Sequence, residues 1–250
     1  MRTGIPIGYC ALAAVLLASG CASTPKELRD PRDPWEPFNR GVYKFNTDFD
    51  NAFMKPIAKG YQAVTPEPVD RGITNFFANL ADVGSAVNNL LQFKLARAGS
   101  DVGRVVVNST VGVLGFVDVA SNMGIASYKE DFGQTLGYWG IGAGPYLMLP
   151  ILGPSSVRDT VGLAGDVLAD PLLYAPDDEV YWGGATLRAV DRRADLLTAE
   201  AIFEEAAIDR YTFLRDAYLQ RRENQVSDGS LSEETAPDVW MDDEPDATDE

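Results

Sequence analysis

The chain has 250 residues, 46% of them apolar, and a formal net charge of −16. It is long enough to bury a core, and it offers no basic patch for nucleic acid. Histidine is absent, which removes His-based acid–base catalysis, the usual Ser-His and Cys-His nucleophile pairs and most zinc sites, so no catalytic residue, metal or cofactor is expected.

Met1-Arg2, the apolar run Ile5 to Leu17 and the small residues Ala18-Ser19-Gly20 predict a signal peptide over 1–20, too short in its apolar core to stay as a spanning helix. Cys21 directly follows. Leu17-Ala18-Ser19-Gly20-Cys21 resembles the lipobox of bacterial lipoproteins, which implies a covalently lipidated Cys21 whose acyl chains together form a stable anchor. Ala22, not Asp, at the next position resembles the sorting rule for the outer membrane. The other cysteine, Cys10, lies inside the signal, so the mature chain has no internal disulfide to form.

Residues 21–34 read as an anchor and polar tether. Asp33-Pro34-Trp35-Glu36 predicts a helix start with Asp33 as N-cap and Pro34 in the first turn. Phe38, Val42, Phe45, Phe49 and Phe53 then form one aromatic stripe, expected to be a buried core face in preference to a lipid-facing one. In the opening motif Phe38-Asn39-Arg40, Phe38 is expected to pack and Asn39 to bond a neighbouring backbone or polar group. Pro56, Pro66 and Pro68 punctuate the next stretch. Val69, Ile73, Phe76, Phe77 and Leu80 make a second stripe, and Val102 to Ala120 reads as a buried helix broken near Gly112 and Gly115.

Phe132 to Val157 runs 26 residues without a charge. Its glycines and prolines forbid a spanning helix, and in hydrocarbon such backbone is tolerated only where protein buries it or a cavity wets it. Candidates to line a lipid path are Tyr138, Trp139, Gly140, Ile141, Gly142, Gly144, Pro145, Tyr146, Leu147, Leu149 and Pro150. Gly140 to Pro145 lacks the spacing and the Lys of a nucleotide loop. Ser155-Ser156 reads as a cap for a helix from Val157, and that helix stops at Asp170-Pro171. Further helical stripes run through Leu187 to Leu197 and Ile202 to Tyr218, closing on Arg221-Arg222 as C-terminal cations. Residues 223–250 hold eleven acidic side chains and no basic one, against 26 acidic and 20 basic in 21–222, and read as a disordered acidic tail. The expected fold is mainly α, with a single domain of amphipathic helices over 35–222 and one Gly/Pro-rich irregular segment.

Asp33-Pro34, Phe38-Asn39-Arg40, Phe45-Asn46, Asn75-Phe76, Asn79-Leu80, Asn108-Ser109-Thr110-Val111-Gly112, Gly115-Phe116-Val117-Asp118, Asp131-Phe132-Gly133-Gln134-Thr135-Leu136-Gly137, Gly144-Pro145-Tyr146 and Arg158-Asp159, in this order, resemble the MlaA (VacJ) lipoprotein family over residues 30–222. The resemblance implies a ring-like helical lipoprotein in the inner leaflet of the outer membrane. It implies transport of mislocalised phospholipids through an amphipathic channel to a soluble periplasmic phospholipid-binding protein, beside a trimeric porin, with phospholipid the only ligand. The rival classes are a structural envelope lipoprotein without transport, and an acyl-handling enzyme using Ser155 or Ser156, which would lack a histidine base.

Overall fold

The structure, a computed structural model, describes residues 30–206 and 209–229, with the side chains of all but 201–206. Cys21, the signal and residues 230–250 of the acidic tail lie outside the described residues. Helix α1 (Glu36–Phe49) passes through a π-helical turn (Asp50–Met54) into α2 (Lys55–Val64) without leaving the helical conformation. Pro56 therefore does not end the helix. It lacks an N–H and would crowd the carbonyl four residues back, and the wider π turn just before it relieves both problems. Next come α3 (Glu67–Leu91), α4 (Leu95–Thr110), the short α5 (Val119–Asn122) and α6 (Phe132–Tyr138). A two-stranded antiparallel hairpin, β1 (Tyr146–Leu149) and β2 (Gly153–Ser156), leads into α7 (Val157–Ala169), a 3-10 turn (Pro171–Tyr174), α8 (Asp178–Ala206) and α9 (Arg210–Val226). The fold is mainly α, as expected; the hairpin was not foreseen, because strands of four residues are too short to establish a period of two.

Several local expectations need correction. Helix α1 begins at Glu36, with Pro37 in its first turn, and Trp35 occupies the cap position without a side-chain bond. Asp33 is instead fully buried, taking hydrogen bonds from Asn39 (2.8 Å) and the Tyr211 hydroxyl (2.5 Å), so the fold reaches back into the supposed tether. Arg222 does not cap a C-terminus, since α9 continues to Val226 and Arg222 is turned inward. Ser156 does cap α7, accepting from the Asp159 N–H at 3.1 Å.

The largest correction concerns which face points inward. Among the described residues, nine apolar side chains are buried against 21 polar or charged ones, while Phe38, Phe45 and Phe53 of the aromatic stripe are 40–57% exposed. Helices α3 and α4 repeat the inversion. Asn79, Asp82, Ser85, Asn88 and Asn89 face in against Asp101, Arg104 and Asn108, whereas Val69, Val87, Leu90, Val102 and Val106 face out. The helices are amphipathic as predicted, but with the opposite sense, so the reading of 102–120 as a buried apolar helix fails. Arg104 holds the pair together, bonding Asp82 at 3.0 Å and Asp118 at 3.1 Å, and Asn89 donates to Asp101 at 2.8 Å. Most of these polar groups find partners, as burial demands, while the Asn79 and Asn89 side-chain oxygens are buried without one. A small aromatic core of Tyr146, Met148, Tyr211 and Tyr218 joins the hairpin to α9, with edge-to-face rings at 5.9–6.3 Å. No helix among the described residues is long and apolar enough to cross a membrane.

Candidate functional site

The buried edge of α1 carries polar residues at helical spacing, and they hold the hairpin. Asn39 is fully buried: its amide donates to Asp33 and to the Tyr146 carbonyl (3.1 Å), and its oxygen accepts from the Met148 N–H (2.9 Å). Two turns on, Asn46 donates to the Leu149 carbonyl (2.9 Å) and accepts from the Ile151 N–H (2.7 Å). The side-chain amide serves here because it offers both a donor and an acceptor to a strand edge. Arg40 ties the start of α1 to the start of α9, reaching Glu36 and Asp209 at 2.7 Å each and lying 4.4 Å over the Tyr211 ring. Phe38, beside them in the same motif, is 40% exposed and does not pack inward.

Between α1, the π turn, the hairpin, α8 and α9 lies a cavity of about 410 Å³, within the ~300–1,000 Å³ range of small-molecule sites. Its apolar wall comes from Tyr43, Met148, Pro154, Leu196, Ala199 and Leu214. Its polar end holds Asp50, Arg193 and Glu200, with Asn46, Thr47, Asn51 and Arg210 beside them. Arg193 grips Asp50 through two bonds of 2.6 and 2.7 Å and Glu200 through a third of 2.6 Å; Lys55 meets Glu200 at 2.9 Å. The hydrogen bonds that Arg193 donates to Asp50 and then to Glu200 push its pKa up against the effect of burial. Burial acts to raise Glu200, but Arg193 and Lys55 outweigh it and hold the carboxylate below its ordinary value. With Asp50 and Lys55 the four side chains alternate in sign, and their formal charges sum to zero. A second hollow, lined by Arg40, Tyr43, Thr47, Asp209, Arg210 and Tyr211, shares three residues with the first and continues it along α1.

None of the eleven path residues expected from the sequence lines this cavity. The uncharged segment divides instead. Tyr138, Trp139 and Ile141 are about half exposed, with Gly140 and Gly142 beside them in the open. Gly144 takes a positive φ of 67° to start the hairpin, with Pro145 half-buried after it. On β1 the pleat turns Tyr146 and Met148 inward and leaves Leu147 and Leu149 half-buried, with Pro150 exposed at the turn. From this segment Met148, which sits between two of the expected residues, reaches the cavity together with Gly153 and Pro154 of the hairpin. Asp50, Arg193 and Glu200 carried no sequence signal, because the pair Asp50–Arg193 closes across 143 residues. Asn46 was visible only as part of the Phe45-Asn46 motif.

A second charged node fixes the hairpin end to α6, α7 and α9. Arg222, 8% exposed, bonds Asp131 at 2.5 and 2.9 Å and Asp159 at 2.9 and 3.0 Å, and the Tyr218 hydroxyl donates to Asp159 at 2.6 Å. Burial alone would raise the Asp159 pKa; Arg222, Tyr218 and Arg158 reverse this and hold it at about 2. Helices α6 and α7 can approach because glycines meet there: a Cβ on Gly162 would stand 2.6 Å from the Gly133 nitrogen. Ser155 shares its hydroxyl with Thr160 at 2.9 Å. No group of side chains among the described residues could hold a metal ion.

A family model described as MlaA lipoprotein matches residues 31–225. Relatives named intermembrane phospholipid transport system lipoprotein MlaA include those of Escherichia coli, 33% identical with 92% of each chain covered, and Shigella flexneri, 34% identical over the same shares. That of Haemophilus influenzae is 32% identical, covering 91% of this chain and 94% of its own. A solved chain from "Structural basis for maintenance of bacterial outer membrane lipid asymmetry" superposes with a TM-score of 0.69 at 33% identity, covering 79% of this chain and all of that one.

Proposed function

Because this chain belongs to the MlaA lipoprotein family, we propose that it is an outer-membrane lipoprotein of phospholipid transport that maintains lipid asymmetry. It takes mislocalised phospholipid from the outer leaflet through its polar interior and passes it to a soluble periplasmic lipid carrier, beside a trimeric porin. Cys21 carries the anchor, and the helical body lies in the inner leaflet without spanning the bilayer. The observation that carries this reading is the inverted amphipathicity. Trp35, Phe45, Phe53, Val87, Leu90, Val106 and Trp139 are each 41–57% exposed, and an apolar exterior of that extent marks a membrane or protein interface. Half-burying one such side chain in acyl chains contributes on the order of 1 kcal/mol, so several of them hold the body in the leaflet. The polar interior then gives a headgroup a wet route while its tails stay in apolar surroundings. The cavity is too small for a whole phospholipid, and admits the headgroup end.

Deletion in a Gram-negative host tests this, with outer-leaflet phosphatidylethanolamine read by a membrane-impermeant amine probe. Labelling should rise, return to baseline with the wild-type chain, and stay high with Ala199→Trp, which fills the cavity. Unchanged labelling on deletion would favour a structural lipoprotein without transport. Release of free fatty acid by the purified chain would favour an acyl-handling enzyme.

A further inference from the structure

We propose that the charged end of the cavity is a docking site for a zwitterionic headgroup, phosphoethanolamine, and disfavours an anionic one such as phosphoglycerol; this rests on the transport reading above. Three observations converge. First, the charges alternate along one line: Asp50 to Arg193 (2.6 Å), Arg193 to Glu200 (2.6 Å), Glu200 to Lys55 (2.9 Å). Second, all four side chains are only 14–27% exposed, and Asp50, Arg193 and Glu200 line the cavity, with Lys55 behind Glu200. Third, Asp50 opens the π-helical turn between α1 and α2, and such turns are frequent at functional sites because they re-aim a side chain that a regular helix would place elsewhere.

The chemistry follows from matching charge to charge. A phosphate entering from the apolar wall meets the planar guanidinium of Arg193, suited to two phosphate oxygens at once. In ethanolamine the ammonium stands two carbons from the phosphate, so with phosphate on Arg193 it falls within reach of the Glu200 or Asp50 carboxylate. The displaced carboxylate keeps a cation, Lys55 for Glu200, so no charge is left bare. A zwitterion exchanges partners in a neutral cluster. An anionic headgroup would add net negative charge beside two carboxylates, and its terminal hydroxyls could offer them only uncharged hydrogen bonds in place of an ammonium.

The test uses the full lipoprotein in vesicles containing equal parts phosphatidylethanolamine and phosphatidylglycerol, one or the other carrying a diazirine next to the glycerol. Peptide mapping then scores crosslinks at Met148, Leu196 and Leu214. Wild type should favour phosphatidylethanolamine by about fivefold, the size of one partly exposed ion pair. Asp50→Asn with Glu200→Gln leaves Arg193 and Lys55 unneutralised and should turn the preference toward phosphatidylglycerol. Arg193→Lys keeps the charge but loses the two-pronged contact to phosphate, and should weaken labelling by both lipids while leaving their order unchanged. Equal labelling of both lipids in wild type, or an unchanged preference in the double variant at an unshifted melting temperature, overturns the headgroup assignment and leaves transport standing. Absence of either lipid at all three positions removes the transport path itself from this cavity.

Discussion

Arg222→Met should be among the most damaging single changes in the described fold. The native guanidinium makes two bonds to Asp131 and two to Asp159 and is 8% exposed. Its removal leaves two carboxylates facing each other across a buried site, and breaking a buried pair this way costs ~3–5 kcal/mol. Arg158 and the Tyr218 hydroxyl still serve Asp159, and Gln134 still serves Asp131, so the lower end, about 3 kcal/mol, is expected. The pH dependence is more diagnostic. Asp159 sits at about 2 in the fold against 3.8 for the free group, so it contributes about 2 kcal/mol that is fully present above pH 4 and fades as the pH falls through 2. In Arg222→Met the largest cause of the depression is gone and both carboxylates should rise. Their protonation on acidification then relieves the repulsion, and the deficit against wild type should shrink between pH 7 and pH 4. Denaturant unfolding of the lipoprotein in mild detergent measures this at several pH values. A deficit under about 1 kcal/mol at pH 7, or one that stays constant with pH, would refute the assignment of Arg222 as the counterion of both groups.

Asn39→Ala should cost about 2–4 kcal/mol, since it strands the Met148 N–H and the Tyr146 carbonyl, and Asn39→Asp should be worse because a carboxylate would face Asp33; thermal unfolding in detergent ranks the three proteins. Gly142→Leu should change stability by less than about 0.5 kcal/mol, because nothing lies within 4 Å of the added Cβ, whereas Gly162→Ala should force α6 from α7 and cost several times that. The Tyr146 hydroxyl is buried without a partner in a residue with no exposed surface, so Tyr146→Phe should be neutral or stabilising by about 1 kcal/mol, read by the same melting curves.

Elements with local chemistry were legible from residues alone. Ser156 at the start of α7 and Asp170-Pro171 at its end stand where capping and proline geometry put them. Helical periodicity in Phe38 to Phe53 and Val69 to Leu80 gave the right elements but the wrong side for Phe38, Phe45, Phe53 and Val69, with Phe77 buried as expected. A period reports that a helix has two faces; it does not say whether the surroundings are water or lipid, and the assumption of water turned these four side chains inward. The signal that could have corrected this was in the opposing faces, where Asn79, Asp82, Asn89, Asp101, Arg104 and Asn108 bear polar groups that bond across to neighbouring elements. Asn39 was picked out as a bonding residue, but its partners lie 107 and 109 positions away. The cavity was illegible for the same reason: its charged end assembles from the π-helical turn, α2 and α8, and no spacing along the chain records that meeting.

The outward apolar face is tested most directly by where it sits. Spin labels at Phe45→Cys, Val87→Cys and Val106→Cys, in a mature chain whose native Cys21 is expected to be acylated, would be compared with a label at Lys44→Cys on the polar side of α1. Power-saturation with oxygen, which concentrates in acyl chains, and with a water-soluble nickel chelate reports the surroundings of each. The three apolar positions should be relaxed by oxygen and shielded from nickel, all within one leaflet, with Lys44→Cys showing the reverse. Strong nickel accessibility at Phe45, Val87 and Val106 would place the apolar exterior in water and contradict a body embedded in lipid.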